Sequence, residues 1–399
     1  MSNDTLKSTE FTGVAAEVAQ ELAALDPVYR ARLAATGFEP RKMLQLAGTI
    51  DPSRSADAAL RRDTRNRIGG DVRAPAATDI LAAPVPGTTE EKKLAAIGEA
   101  AMRRGELAFC VMAGGMATRM GGVVKALVEA MPGKTFLDLR LAENASMSAR
   151  VSRAIPLWLM TSEATDGPIN AALREKNALS HVRTFPQDLS LRLTPDGHLF
   201  IGQDGLPSAY ATGHGDLPDA LRRAGLLTRF VGGGGKYLWI ANLDNLGASI
   251  DPAILGRFIA EPNAQVMVEV CDKVKGDRGG IPVHAKDRLQ VLEEFRLPKG
   301  FDATTVTVFN TNTVLVRAPA LETAQIAWTY FEVEKKVEGR PAIQFERLLQ
   351  ELTATLPSAY LRVPRDGDVS RFLPVKDNDE LAKRRPEIEA VARKRGMVG

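Results

Sequence analysis

The first residues in this chain that could do chemistry are two cations associated with a glycine-rich loop. The apolar run 107–112 breaks into Ala113, Gly114, Gly115, Met116, Ala117, Gly121 and Gly122, with Arg119 inside the loop and Lys125 just beyond it. Glycine lets backbone N–H groups approach an anion where a Cβ would obstruct them, so a buried strand feeding such a loop reads as a phosphate cradle. Arg119 and Lys125 could then neutralise a triphosphate. A plain structural turn fits the same residues. Neither the Walker loop nor the dinucleotide fingerprint G-x-G-x-x-G is present.

Other polar groups stand at similar punctuation points. Gln187 follows Thr184-Phe185-Pro186, and its amide could pair with both the donor and the acceptor of a pyrimidine edge. In Gly213-His214-Gly215-Asp216, glycines flank an imidazole able to donate to a phosphate or hydroxyl, while Asp216 could simply cap a helix. Asn242-Leu243-Asp244-Asn245 ends the apolar run KYLWIA, and the Asp244 carboxylate could hold Mg²⁺ together with ligand phosphates. Gly279-Gly280 would admit a flat ligand such as a pyranose, or form a hairpin turn. Asn310 and Asn312 precede an apolar run and could read sugar hydroxyls, and Lys376 follows the rigid stretch RFLPV.

These groups need positioning elements. From 107 onward, short apolar runs at 107–112, 156–160, 237–241, 266–270 and 313–316 alternate with helical patterns at 148–153, 168–176, 217–224, 252–260 and 320–333. That alternation predicts an α/β fold with a doubly wound, mostly parallel (mixed) sheet, and 285–296 suggests an antiparallel insertion. Ligands in such sheets sit beyond the carboxyl ends of the strands, where the candidate groups fall. Helical spacing at 14–25, 27–36, 40–47 and 88–104 predicts a mostly helical region over 1–105. The catalytic region is expected over 106–378 and a charged C-terminal helix over 379–399. The basic run RRDTRNR at 61–67 reads as a solvated helix face, with a binding arm as the less favoured reading.

Composition narrows the class. A net charge of +3 on 399 residues gives no general case for nucleic acid or membrane binding. Cys110 and Cys271 lie in apolar runs and read as buried free thiols of a reducing compartment. The polar start MSNDTLKSTE has no apolar leader pattern, and no run approaches the ~18 apolar residues that span a membrane, so a cytoplasmic protein is expected. No G-x-S-x-G elbow is present, and four histidines without a close His/Cys pairing argue against a zinc site.

Over roughly 107–385 the chain resembles the eukaryotic-type UTP–glucose-1-phosphate uridylyltransferase (UDP-glucose pyrophosphorylase) family. The resemblance rests on GGMATRM…K…TFLDL, TFPQ, GHGDLPDALRRAGLL, YLWIANLDNLGASIDPAIL, RGGIPV, FNTNTVLV and RFLPVK, in that order. It implies a Rossmann-like nucleotidyltransferase fold and transfer of a uridylyl group from UTP to glucose 1-phosphate with Mg²⁺. Ala113, Gly114, Gly115 and Met116 would contact the nucleotide, Gln187 and Gly213 the uracil, and His214 the sugar phosphate. Asn242, Gly280 and Asn312 would line the sugar site, Asp244 would face the metal, and Lys125, Lys376 and Arg119 would act at the reacting phosphates.

The chain departs from the family pattern at Ala117, where a glycine is expected, at Val124, where a proline is expected, and in a loop about one residue shorter. Arg119 is more like N-acetylhexosamine pyrophosphorylases, so an N-acetylhexosamine or broad UDP-sugar enzyme is the same-class alternative. A nucleotide- or sugar-phosphate-binding protein without catalysis is the other. The sequence ends soon after RFLPVK, so the family's C-terminal left-handed β-helix, and the oligomer made through it, are not expected.

Overall fold

The computed structural model describes residues 11–51, 57–277 and 279–398. The polar segment 1–10 and part of the stretch before the 61–67 run lie outside them. The chain forms two compact units. One comprises Gly70–Pro186, Ala224–Ala327 and Gln350–Gly399, the other Met1–Gly69, Gln187–Arg223 and Trp328–Leu349.

The larger unit is built on an eight-stranded sheet. Its strands in chain order are β1 (Ile80–Ala82), β2 (Leu107–Met112), β3 (Leu157–Thr161), β4 (Val182–Pro186), β5 (Tyr237–Asn242), β6 (Val266–Asp272), β7 (Val308–Arg317) and β8 (Ser358–Arg362). They lie in the order β1-β8-β6-β7-β5-β2-β3-β4, all parallel except β7. The central strands LAFCVM and YLWIAN are buried nearly end to end, as unbroken apolar runs covered on both faces should be. After β2 the chain builds β3 and β4 on one side, then returns to add β5 on the other. The carboxyl ends of β2 and β5 therefore flank a topological switch point, the usual ligand crevice of doubly wound sheets.

Helices cover the sheet where their caps and apolar faces require. Thr88 caps Thr89–Arg103 by accepting from the Glu91 N–H, and this helix meets Pro252–Ile259 at Gly98 and Gly256, where any Cβ would strike the facing backbone. Thr135 and Asp138 form a reciprocal capping box that opens Phe136–Arg150. The helix expected at 148–153 is thus the end of a longer one, stopped before Ser152 takes a left-handed φ of 52°.

Two further expectations are corrected. FNTN does not precede a strand: β7 begins at Val308, and its register against β6 jumps from Thr313 to Asn310. The bulge leaves Asn312 at φ 59°, a conformation asparagine tolerates better than most residues. The helix expected over 320–333 is only Ala318–Thr323. In the smaller unit, Phe331–Val337 is a strand paired with Arg340–Glu346 through a tight turn, with Glu338 and Gly339 at φ 49° and 79°. Alternation and the Glu-Gly turn outweigh the helical spacing there.

In the smaller unit, Val14–Ala24, Pro27–Ala35 and Pro40–Ile50 bury Val18, Leu22, Leu33 and Leu44 with Leu193, Ile343 and Phe345. The basic run is no solvated face either. Arg61 donates to the buried Glu332 carboxylate at 2.7 and 3.1 Å, Arg62 and Arg65 close on the same group, and Arg62 also pairs with Glu334. These arginines anchor the 331–346 hairpin, which removes the basis for a binding arm.

The C-terminal helix runs Asn378–Lys394. Cys110 and Cys271 are buried free thiols, and among the described residues no helix is long and apolar enough to cross a membrane.

Candidate active site

Strand register brings the loop after β2 and the loop after β5 together. Met112 is paired with Asn242, and the Leu243 N–H donates to the Met112 carbonyl at 3.2 Å. The glycine-rich loop folds back on itself: Met116–Ala117 pairs with Val123–Val124, with Gly121 and Gly122 at φ 87° and 73° making the turn. The Lys125 N–H then donates to the Gly115 carbonyl at 3.2 Å, which returns the lysine to the start of the loop. Its Nζ donates to Asp244 Oδ2 at 2.5 Å, joining residues 119 apart in sequence.

Two of the sequence departures fit this backbone. Ala117 has φ −78°, and its side chain is buried in the core, so no glycine is required there. Val124 pairs with Met116 in the loop's short ladder. Gly115, Met116 and Arg119 are exposed on the loop, while Ala113 is buried with its N–H donated to the Met160 carbonyl at 2.8 Å.

Asp244 is held by a side chain that sequence reasoning missed. Arg140 is fully buried, and its guanidinium donates to the carbonyls of Asn242 at 2.8 Å, Asn245 at 2.5 Å and Leu243 at 3.3 Å. Its Nη1 also donates to Glu143 at 2.7 Å. The carbonyls left over at the end of β5 are thus satisfied by one cation, which fixes the backbone on both sides of Asp244. Its signal was present in TFLDLRL, where a capped helix carries an arginine at its fifth position toward the sheet. On the far side, Asn245 Nδ2 donates to the Arg371 carbonyl at 3.1 Å and Asn245 Oδ1 accepts from the Leu373 N–H at 2.7 Å.

The groups read as sugar-facing also meet one another. Asn312 Nδ2 donates to Asn242 Oδ1 at 3.0 Å, and the Asn312 N–H to Asn310 Oδ1 at 2.9 Å. Gly280 opens the strand Gly280–Ala285, and the hairpin turn lies instead at Lys286 and Asp287, which take φ 51° and 59°. Glycine is needed at 280 for close packing, since a Cβ there would lie 2.6 Å from Val291 Cγ1 and 3.4 Å from Asn310 Nδ2.

The same hypothetical Cβ would lie 3.2 Å from Glu293 Oε1, so a carboxylate absent from the sequence reading stands beside this glycine. Burial, reinforced by the charge of Glu294, pushes Glu293 up to about 7. A raised carboxyl pKa stabilises the fold fully below the unfolded value and loses that contribution as pH rises through the folded one. Glu293→Gln is therefore expected to gain thermal stability relative to the parent between pH 4.5 and pH 7, a trend measurable by melting both across that range.

Lys376 follows the buried Val375. Its side chain is exposed, its N–H donates to Glu380 at 2.7 Å, and no hydrogen bond or ion pair joins it to Lys125 or Asp244 among the described residues. Metal-binding capacity is correspondingly spare. Among the described residues no group of three or more His, Cys, Asp or Glu could hold a metal ion. Asp244 offers one carboxylate, already paired through Oδ2 with the Lys125 ammonium, so a divalent ion there would draw its remaining oxygens from ligand phosphates.

In the smaller unit, Gln187 Nε2 donates to the Gly213 carbonyl at 2.9 Å. His214 Nδ1 accepts from the Leu349 N–H at 2.9 Å, which leaves the proton on Nε2. Burial pushes this imidazole down to about 4, so at neutral pH it is an uncharged donor. Asp216 is not a helix cap: it is buried and takes Thr212 Oγ1 at 2.7 Å and Arg347 Nε at 2.9 Å. Arg347 also donates to Asp188 at 2.8 Å and Asp219 at 2.7 Å.

Gly213 has φ 100°, and a Cβ there would lie 2.5 Å from the Arg347 carbonyl oxygen. Gly213→Ala should therefore destabilise the protein by about 1–3 kcal/mol. Urea unfolding would show this as a lower midpoint at unchanged slope.

Comparison with known proteins agrees with this architecture. A barley (Hordeum vulgare) UTP–glucose-1-phosphate uridylyltransferase is 31% identical over 286 residues, 67% of this chain and 59% of that protein. The chain spans 57–59% of the length of the first such relatives it matches. Among solved structures, a UDP-glucose phosphorylase of Trypanosoma brucei superposes with a TM-score of 0.72 at 22% identity, covering 94% of this chain and 79% of that one. A uridine diphosphate N-acetylglucosamine pyrophosphorylase of the same organism gives 0.72 at 20% identity, covering 96% and 84%. These two show the fold. The family model described as UTP–glucose-1-phosphate uridylyltransferase matches residues 82–388, a span that holds every candidate residue above, and the chain belongs to that family.

Proposed function

We propose that this protein transfers a uridylyl group from UTP to glucose 1-phosphate, releasing pyrophosphate. The observation that carries the reading is the Lys125–Asp244 pair at the switch point between β2 and β5, reached from a loop with exposed glycine backbone. A phosphate oxygen of the sugar phosphate attacks the α-phosphorus in line, and the bond to pyrophosphate breaks. The attacking phosphate is already ionised, so no general base is required. The protein's task is to hold two mutually repelling anions and to stabilise the transferring charge.

Lys125 supplies the positive charge nearest the reacting phosphates, and backbone N–H groups of 114–116 hold the nucleotide. Arg119 and Lys376, both exposed, serve as further phosphate ligands. Asp244 would hold Mg²⁺, which when bound would offset phosphate charge. Asn242, Asn312 and Gly280 line the sugar, Gln187 and Gly213 take the uracil, and neutral His214 donates from Nε2 to the sugar phosphate.

The second reading substitutes an N-acetylhexosamine phosphate as acceptor. It draws on Arg119 and on the equally good superposition with the N-acetylglucosamine enzyme. Pyrophosphate release from UTP and Mg²⁺ with a panel of sugar 1-phosphates separates the readings. Glucose 1-phosphate should give the highest kcat/KM. Turnover with N-acetylhexosamine phosphate alone would select the second reading, and UTP binding without any turnover would overturn both.

A further inference from the structure

The larger unit contains a cavity of about 470 Å³ whose lining includes none of the candidate active-site residues. It is walled by the end of Phe136–Arg150, the start of Pro252–Ile259, the 364–371 segment and the end of Asn378–Lys394. Five cations line it, Arg150, Arg371, Arg393, Lys394 and Arg395, against the carboxylates of Glu91 and Asp251. Several are already engaged: Arg150 holds Glu99, Lys394 holds Asp368, and Arg371 gives Nε and Nη2 to Glu269. Asp251 spends Oδ1 on the N–H groups of Ala253 and Ile254, and its other oxygen is 3.5 Å from Arg395 Nη1.

Two donors remain. Arg371 Nη1 and Arg395 Nε are buried and have no hydrogen-bond partner among the described residues. A desolvated cationic N–H without an acceptor is costly, and two of them on residues of one cavity need an explanation. Burial, and then the repulsion of Arg371, weaken the hold of Arg395 on its proton against the opposing pull of Asp251, Glu143 and Glu269. Met147 and Ile254 add apolar wall.

We propose that this cavity is a second ligand site, which takes a small phosphorylated anion whose oxygens accept from Arg371 and Arg395. Guanidinium pairs match phosphate oxygens in number and geometry. The site is coupled to the reaction through Arg371. Its carbonyl accepts from Asn245, the neighbour of Asp244, and its Nη2 donates to the Ser249 carbonyl at 2.8 Å, further along the same loop. An occupant that fixes the guanidinium therefore stiffens the segment carrying Asp244. This coupling rests on the proposed reaction, whereas the binding does not.

Calorimetric titration of the full chain with inorganic phosphate and with glucose 6-phosphate tests the proposal, with and without saturating UDP-glucose. At least one probe should bind in the presence of UDP-glucose. Arg395→Gln should weaken it about tenfold, the worth of one charge-assisted hydrogen bond. Lys125→Ala should leave it unchanged. Arg393→Gln, at an exposed position, should weaken it severalfold even if Arg395→Gln fails to fold.

Tighter binding of glucose 6-phosphate would identify an organic phosphate as ligand, and equal binding would identify the phosphate group itself. In the parent the bound probe should alter the rate of pyrophosphate release, and in Arg395→Gln it should not. If neither probe binds, or if binding is lost with UDP-glucose or Lys125→Ala and survives Arg395→Gln, the cavity is not a ligand site. Absence of any UDP-glucose heat would instead count against the proposed reaction alone.

Discussion

Lys125→Ala is expected to slow pyrophosphate release by about 10²–10³, the effect of removing one preorganised charge-stabilising group from a reacting centre. The loss should fall mainly on kcat, because charge on the leaving pyrophosphate develops in the transition state. Folding should barely change. The Lys125 and Asp244 side chains are 19% and 16% exposed, and a partly solvated ion pair contributes little stability. Lys125→Arg is the informative companion. It keeps the charge but places a planar fork where a compact ammonium meets Asp244, so only part of the rate should return. Steady-state kinetics with a melting curve for each variant checks this. A parent-like kcat in Lys125→Ala would remove the lysine from the reaction.

Arg140→Met is expected to lower stability by about 3–5 kcal/mol, the usual cost of removing one partner of a buried ion pair. Glu143 would keep only the Ile250 N–H on Oε1, and the carbonyls of Asn242 and Asn245 would lose a shared donor. The effect on rate is separable. In Arg140→Met/Glu143→Leu the uncompensated carboxylate is gone, so much of the stability should return. The backbone around Asp244 would still lack its clamp, so kcat should stay low and the Mg²⁺ concentration for half-maximal rate should stay high. Chemical unfolding and Mg²⁺ titrations of both variants check this. Recovery of kcat together with stability would reduce Arg140 to a packing role.

Much of this protein was legible in its residues because the relevant signals are local. Unbroken apolar runs such as LAFCVM and YLWIAN have to be central strands, and helices between them make the sheet mostly parallel and doubly wound. Glycines after β2 and polar residues after β5 mark the strand ends beyond which ligands of doubly wound sheets generally sit. Signals depending on partners distant in sequence were not legible. Helical spacing over 320–333 lost to a strand because the Glu338-Gly339 turn and the Arg340–Glu346 strand supply the competing ladder. The arginines of 61–67 read as a solvated face because Glu332, the carboxylate that gathers them, lies some 270 residues away.

The residue types and their order thus determined the fold class, the family and most of the candidate site. Only the tertiary structure decided that Lys125 closes on Asp244, that Arg140 satisfies the carbonyls around it, that His214 is neutral, and that two buried arginine N–H groups belong to residues lining a separate cavity. Each of these depends on which charge meets which in a desolvated place, and pairing across more than a hundred residues is set by strand register rather than by local pattern.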